Sequence, residues 1–187
     1  MDSLTQATLG AAVGEAILGK KLGNKAPILG AILGTIPDLD VLFTPFFDEL
    51  QKISLHRGYS HSILFCLIGA SVFVFLFKDK KWIKNASPIK LWWFSFLALF
   101  THVLLDTFTT YGTQLFLPFS DWRVSFDSIG IIDPVYTLPL LIGVLATIFL
   151  SRKGKSRRIK PNHIGLIISS LYLIFTLINK QKIHSIF

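Results

Sequence analysis

Read as runs of apolar and polar positions, the chain is a series of apolar segments cut by short charged connections. Residues 4–18 are apolar and rich in small side chains, with Gly10 and Gly14 four apart, and residues 26–36 repeat the arrangement with Gly30 and Gly34. Small residues at that spacing let two helix backbones approach closely inside a bilayer. The basic turn Lys20-Lys21-Leu22-Gly23-Asn24-Lys25 between the two runs then predicts a tight helical hairpin. Each arm is shorter than the ~20 residues of a simple span, so a pair of buried or re-entrant helices is the alternative. Longer apolar runs follow at 62–77, 89–108, 134–150 and 163–178, and only the third has a proline in its middle, Pro139, where a kink is expected. Residues 41–55, with Pro45, Asp48, Glu49 and Lys52, read as an interfacial connection. The predicted fold class is all-α: a polytopic membrane helical bundle of about six apolar segments, beginning with a short hairpin, in a single integral membrane domain over residues 1–187.

Composition agrees with a membrane setting. Of the 187 residues 51% are hydrophobic, 17 are Phe and only 16% are charged, against about 25% charged in a soluble domain; the mean hydropathy is +0.57. The single cysteine, Cys66, excludes an internal disulfide. The start, Met1-Asp2-Ser3-Leu4-Thr5, lacks the basic region of a secretory signal and is expected to be mature structure.

The net charge of +8 would suggest nucleic acid in a soluble protein, but its distribution gives another reason. Fourteen of the 19 basic residues fall in three connections, 20–25, 78–90 and 152–160, whereas nine of the 11 acidic residues, all but Glu15 and Asp79, fall toward the opposite side. If each apolar segment crosses, the basic connections share one side, which the positive-inside rule makes cytoplasmic. No nucleic-acid partner is then needed, and the expected location is multi-pass in the inner or plasma membrane. Trp82, Trp92 and Trp93 cluster toward the basic side and Trp122 lies on the other, as interfacial belts would have them.

That charge count used no histidine, yet it carries three polar groups to the extracytoplasmic face. Asp38 and Asp40 stand at the exit of the second segment, His56 and His61 at the entry of the third, and His102 and Asp106 at the exit of the fourth. His102 and Asp106, four apart on a helix, project from one face ~6 Å apart, a spacing that suits two ligands of one ion; the alternative is a carboxylate that merely holds a histidine. Gly58 and Ser60 lie between His56 and His61, so a helix capped by Ser60 and starting near His61 leaves His56 free in the loop before it. Ionisable groups at membrane depth are costly and usually serve a site, so the three groups are expected to meet.

The opening Met-Asp-Ser-Leu-Thr-Gln with Gly10, the turn Ile36-Pro37-Asp38-Leu39-Asp40, the block His56-Arg57-Gly58-Tyr59-Ser60-His61-Ser62, Thr101-His102 through Asp106 with Thr109, and the stretch from Gly112 to Pro118 together resemble the YdjM-type family of inner-membrane proteins, often described as membrane-bound metal-dependent hydrolases. The resemblance covers nearly the whole chain. It implies a metal site built from Asp38, Asp40, His56, His61, His102 and Asp106. Many members carry His where this chain has Gln6 and a further His where it has Val41, departures that would reduce a two-ion site to one. Similar proteins often continue into a soluble C-terminal domain, so an extension beyond residues 180–187 is an open expectation.

His and carboxylate ligands suit a divalent ion, Zn²⁺ first and Mn²⁺ or Fe²⁺ next, and an ion with an open position brings the pKa of water to ~7. Arg57 and Arg123 lie on the same side, and a guanidinium matches phosphate or carboxylate bidentately; either can instead anchor the chain at the interface. The function expected is hydrolysis of an ester or phosphoester in an amphipathic, lipid-like substrate at the extracytoplasmic face. Asp40 is the candidate base or second-ion ligand, Arg57 the residue that holds the substrate anion, and Gln6 a residue that orients a ligand. The alternative is a non-catalytic membrane protein with a structural or transported ion. No Gly-x-Ser-x-Gly elbow and no phosphate-binding glycine loop is present, so serine-nucleophile chemistry has no support.

Overall fold

The structure is a computed structural model that describes residues 1–46, 48, 57–84, 86–150 and 160–184. Among these residues the ordered elements are helical: α1 (Ser3–Leu22), α2 (Lys25–Thr35), a 3₁₀ segment (Pro37–Phe46), a 3₁₀ turn (Tyr59–His61), α3 (Ile63–Phe77), α4 (Pro88–Thr107), α5 (Pro134–Leu150) and α6 (Lys160–His184). Two isolated bridges, Thr109 with Ile129 and Thr113 with Val124, tie the connection between α4 and α5 to itself.

The expected N-terminal hairpin is formed by α1 and α2. The Asp2 carboxylate caps α1 by accepting from the Thr5 amide at 3.0 Å, and Gly23, with φ +65°, turns the chain at its end. A side chain on Gly30 would place its first carbon 2.0 Å from the carbonyl oxygen of Gly10, so the two backbones are in direct contact and only glycine fits. This contact fixes the end of α2, whose Gly34 carbonyl enters the site described below. A second close pair, α5 with α6, meets at Gly143 and Gly165, and Asp133 caps α5 by accepting from the amides of Val135 and Tyr136.

The helix α4 runs through the middle of the bundle and packs on α1, α2 and α3. Its Leu91, Phe94, Ala98, Leu99 and Val103 are buried, and so are its polar Ser95, His102 and Asp106. The distribution is the reverse of a soluble protein's. Polar Thr5, Gln6, Glu15, Asn162 and Ser169 are inside, while Ile164, Ile167, Leu171, Ile174 and Phe175 of α6 face out. Outward apolar side chains need no covering where the solvent is hydrocarbon, whereas inward polar ones need partners; Ser169 Oγ donates to the Tyr136 carbonyl and Asn162 Nδ2 to the Ala12 carbonyl.

Among the described residues, two helices reach the measure of a span by length and apolarity, Pro88–Thr107 and Lys160–Ile183. Lys25–Thr35, Ile63–Phe77 and Pro134–Leu150 are apolar but shorter; a helix the length of α3 rises about 22 Å against about 30 Å of hydrocarbon. Helix α1 has the length but carries Glu15, Lys20 and Lys21. The start of α3 also differs from expectation. Ser62, not Ser60, is its cap, accepting from the Phe65 amide at 3.1 Å, and His61 sits in the preceding 3₁₀ turn.

Candidate metal centre

Three chain segments converge at one end of the bundle. Pro37 ends α2 and starts the 3₁₀ segment that carries Asp38 and Asp40. The turn Tyr59–His61 brings in His61, and the last turn of α4 presents His102 and Asp106 on one face. One ligand atom from each of Asp38, His61, His102 and Asp106 lies within 4.8 Å of all the others. His61, His102 and Asp106 are fully buried, and Asp38 remains partly exposed.

The two imidazole Nε2 atoms are 3.2 Å apart. Asp38 Oδ1 is 3.4 Å from each of them, and Asp106 Oδ2 is 3.3 Å from His61 Nε2 and 3.5 Å from His102 Nε2. Nitrogen and oxygen ligands placed tetrahedrally at 2.0–2.2 Å from a zinc-sized ion are about 3.3–3.6 Å from one another. Five of the six donor pairs therefore stand about as far apart as a single tetrahedral ion requires, and the two carboxylates lie within 4.8 Å of each other.

For His102, His61 and Asp106 the remaining side-chain atom is held by the protein. His102 Nδ1 is 2.5 Å from the Gly34 carbonyl oxygen, which only accepts, so Nδ1 carries the proton and a neutral ring turns its Nε2 lone pair to the centre. Ser60 Oγ donates to Asp40 Oδ2 at 3.1 Å and lies 2.9 Å from His61 Nδ1, leaving its oxygen to accept from that nitrogen. This arrangement aims the His61 Nε2 lone pair inward as well. Two lone pairs at 3.2 Å cannot bond each other; a proton or a cation has to stand between them. Asp106 is divided in the same way. Its Oδ1 takes the Gln6 amide at 3.0 Å and the Met1 amino group, while its buried Oδ2 has no hydrogen-bond donor and faces the centre. Outer partners of this kind set the orientation and basicity of metal ligands.

The groups outside the helices respond to the crowding. Burial alone would raise the Asp38 carboxyl, but the His102 and His61 imidazoles outweigh it and hold the acid well below the usual carboxylate range. For His61 burial favours the neutral ring, yet Asp106 and Asp38 overcome it and raise the imidazole above its ordinary value. Without an ion, the two facing carboxylates favour a proton on His61. A divalent cation can take the place of that proton, so the cluster is consistent with a divalent metal ion.

The other expected site residues fall elsewhere. Asp40 is outside the group of four; its Oδ2 accepts from the Arg57 amide and Ser60 Oγ, both at 3.1 Å, and approaches His61 Nδ1 at 3.8 Å. His56 lies outside the described residues. Arg57, with φ +59°, turns its buried guanidinium toward the centre: Nε is 3.5 Å from Asp106 Oδ2 and Nη1 donates to Thr109 Oγ1 at 2.9 Å. Gln6 donates its amide to Asp106 Oδ1. The sequence reading missed the Gly34 carbonyl, the Ser60 relay and Tyr111, whose ring lies against the guanidiniums of both Arg57 and Arg123. A backbone acceptor has no side-chain signal, and the Tyr111 contacts depend on an aperiodic connection.

Comparison with known proteins places this geometry in a context. The profile of the family described as YdjM inner membrane protein matches residues 1–183. The chain is 29% identical to YfhP of Bacillus subtilis (strain 168) over 197 aligned positions, covering 98% of this chain and 57% of YfhP. It is 31% identical to the inner membrane protein YbcI of Escherichia coli (strain K12) over 122 positions, covering 64% of this chain and 69% of YbcI. The chain thus spans little more than half the length of YfhP. No solved structure matches it.

Proposed function

The chain belongs to the YdjM inner membrane protein family, and from that premise we propose that it is a metal-dependent hydrolase of the membrane surface, acting on an ester or phosphoester of a lipid-like substrate. The observation that carries this reading is the four-atom group itself: two Nε2 lone pairs and two carboxylate oxygens, with His61, His102 and Asp106 held from behind and no cysteine among the four. Structural zinc sites are typically rich in cysteine, whereas His and carboxylate sets are those of hydrolytic centres.

Asp38, His61, His102 and Asp106 hold the ion, with Zn²⁺ preferred for the tetrahedral spacing and Mn²⁺ or Fe²⁺ as alternatives. When bound, such an ion supplies Lewis acidity, acidifying water and polarising the ester oxygen. The chain's own residues do the rest. Asp40 is a positioning residue: through Ser60 it fixes the tautomer of His61, and through the Arg57 amide it shapes the turn that delivers the guanidinium. Asp38 is the one partly exposed donor, so water reaches the group from its side. Arg57 lies beside Asp106 and takes the negative charge of the substrate. Buried Gln6 and Thr109 keep Asp106 and Arg57 in place. Charge alternation supports a multi-pass chain with this site on the extracytoplasmic face.

One observation favours a second reading. Four protein donors already complete a tetrahedral shell, as in closed structural sites, so a non-catalytic ion clamp between the 3₁₀ segment after α2, the Tyr59–His61 turn and α4 is the alternative. The test is to incubate metal-loaded protein with a panel of lipid esters and phosphoesters. Turnover lost on chelation and in His61→Ala supports the hydrolase. No turnover with any member, together with unfolding on chelation, supports the clamp.

A further inference from the structure

Beside the metal centre lies a feature that ion binding does not use. Arg57 and Arg123 carry like charges, yet both guanidiniums approach one ring, that of Tyr111, at 5.2 and 5.0 Å from its centroid. Arg57 is nearly fully buried, and its Nε has no hydrogen-bond acceptor, since Asp106 Oδ2 at 3.5 Å is too far to serve as one. Arg123 reaches the Gly112 carbonyl oxygen only at 3.5 Å. The unmet Nε of the buried Arg57 is a donor available to an anion, Arg123 brings a second positive charge to the same ring, and the fork geometry of arginine suits phosphate. With a divalent ion in place, two guanidiniums and the ion outweigh the carboxylates of Asp38, Asp40 and Asp106 by one positive charge.

The same connection also builds a cavity. The Gln114 backbone N–H donates to the Arg57 carbonyl oxygen at 3.3 Å, and the carbonyl oxygen of the next residue, Leu115, accepts from the backbone N–H of Ile63 at 2.9 Å, two residues past His61. From that joint a cavity of about 200 Å³ opens between the start of α3 and the connection, walled by Ile63, Leu64, Leu67, Leu115, Phe116 and Phe119 with almost no polar surface. Phe119, one of its walls, is 86% exposed. The cationic pair and the apolar cavity are thus joined through Gln114 and Leu115, and both adjoin the turn that carries His61.

We propose that these two parts bind one anionic amphiphile, a phosphate monoester with a single hydrocarbon chain: Arg57 and Arg123 take the phosphate and the cavity takes the part of the chain next to it. The proposal rests on the hydrolase reading, which it narrows to removal of phosphate. Water adds to phosphorus, the P–O bond to the alkyl oxygen breaks, and the alcohol leaves with a proton as inorganic phosphate is released.

The test separates binding from turnover by using dodecylphosphonate, whose C–P bond is not hydrolysed. Zinc-loaded protein in nanodiscs of zwitterionic lipid is titrated calorimetrically, with empty nanodiscs subtracted. Dodecylphosphonate is expected to bind at least about tenfold more tightly than methylphosphonate or inorganic phosphate. Arg123→Gln weakens it about tenfold, and Leu64→Trp, which fills the cavity, brings it to the level of methylphosphonate. Equal affinity for wild type and both variants, or equally tight binding of dodecyltrimethylammonium, overturns the proposal. So does a concentration-dependent dimer abolished by Leu64→Trp, which would assign the cavity to a second copy. If dodecylphosphonate binds as expected but dodecyl phosphate is not turned over, the amphiphile site stands and the hydrolase reading fails.

Discussion

His61 Nε2 and His102 Nε2 face each other at 3.2 Å, while the Nδ1 of each ring is already engaged, by Ser60 Oγ and by the Gly34 carbonyl oxygen. Each ring is thereby left with a lone pair pointing at the other.

The Ser60 relay predicts a loss of metal affinity without loss of a ligand. Ser60→Ala removes the acceptor for His61 Nδ1, and Asp40→Asn weakens the group that orients Ser60. Each variant is expected to bind Zn²⁺ about 10–100-fold more weakly than wild type. Competition with a chromophoric chelator measures it; unchanged affinity in both would remove the relay from the account.

Close backbone contact in the hairpin predicts a coupling between a distant glycine and the centre. Gly30→Val puts a side chain where the Gly10 carbonyl oxygen now lies, so α2 has to move away from α1. The Gly34 carbonyl moves with it, and His102 loses its acceptor. Thermal unfolding of the metal-free protein should show a destabilisation of about 1–3 kcal/mol, the usual cost of overpacking, and zinc affinity should fall in the same variant.

A pH dependence follows from the raised imidazole. The folded pKa of His61 lies above its unfolded value because Asp106 and Asp38 outweigh burial. Its contribution to the stability of the metal-free protein is therefore fully present below about pH 6.5 and is lost as pH rises through the folded pKa. Zinc binding runs the other way, because the ion displaces that proton. Below the folded pKa the logarithm of the zinc affinity should rise by about one per pH unit, and above it this proton ceases to contribute. Calorimetry in two buffers of different ionisation enthalpy counts the released proton; no release below pH 6.5 would contradict a protonated His61.

The proposed orientation is tested by single cysteines. Once Cys66 is replaced, cysteine at position 120 should react with a membrane-impermeant maleimide added to intact cells, and cysteine at position 81 only after the membrane is opened. Labelling of position 81 from outside would reverse the topology and move the centre to the cytoplasmic face.

Much of this was legible in the sequence, for physical reasons that differ from residue to residue. Paired glycines at i, i+4 announced the hairpin because only backbone contact makes such a pattern useful, and His102 with Asp106 shared a face because a helix brings i and i+4 together. Asp38 and Asp40 did not separate so readily. In a 3₁₀ segment each residue turns about 120°, so residues two apart point in different directions: Asp38 toward the imidazoles, Asp40 toward Arg57 and Ser60. Ser60 and Ser62 are equivalent as sequence caps, and the structure chose Ser62, which left Ser60 to orient His61. The meeting of Tyr111 with Arg57 and Arg123 depends on a connection of 26 residues without periodicity, so no pattern announced it.

The central claim, one divalent ion shared by Asp38, His61, His102 and Asp106, is tested most directly by metal content. Purified protein is loaded with Zn²⁺, dialysed exhaustively and analysed alongside His61→Ala and His102→Ala, with helical content checked by circular dichroism. The account predicts about one zinc per chain in wild type and less than about a tenth of that in either variant. Equal zinc in all three folded proteins would contradict it.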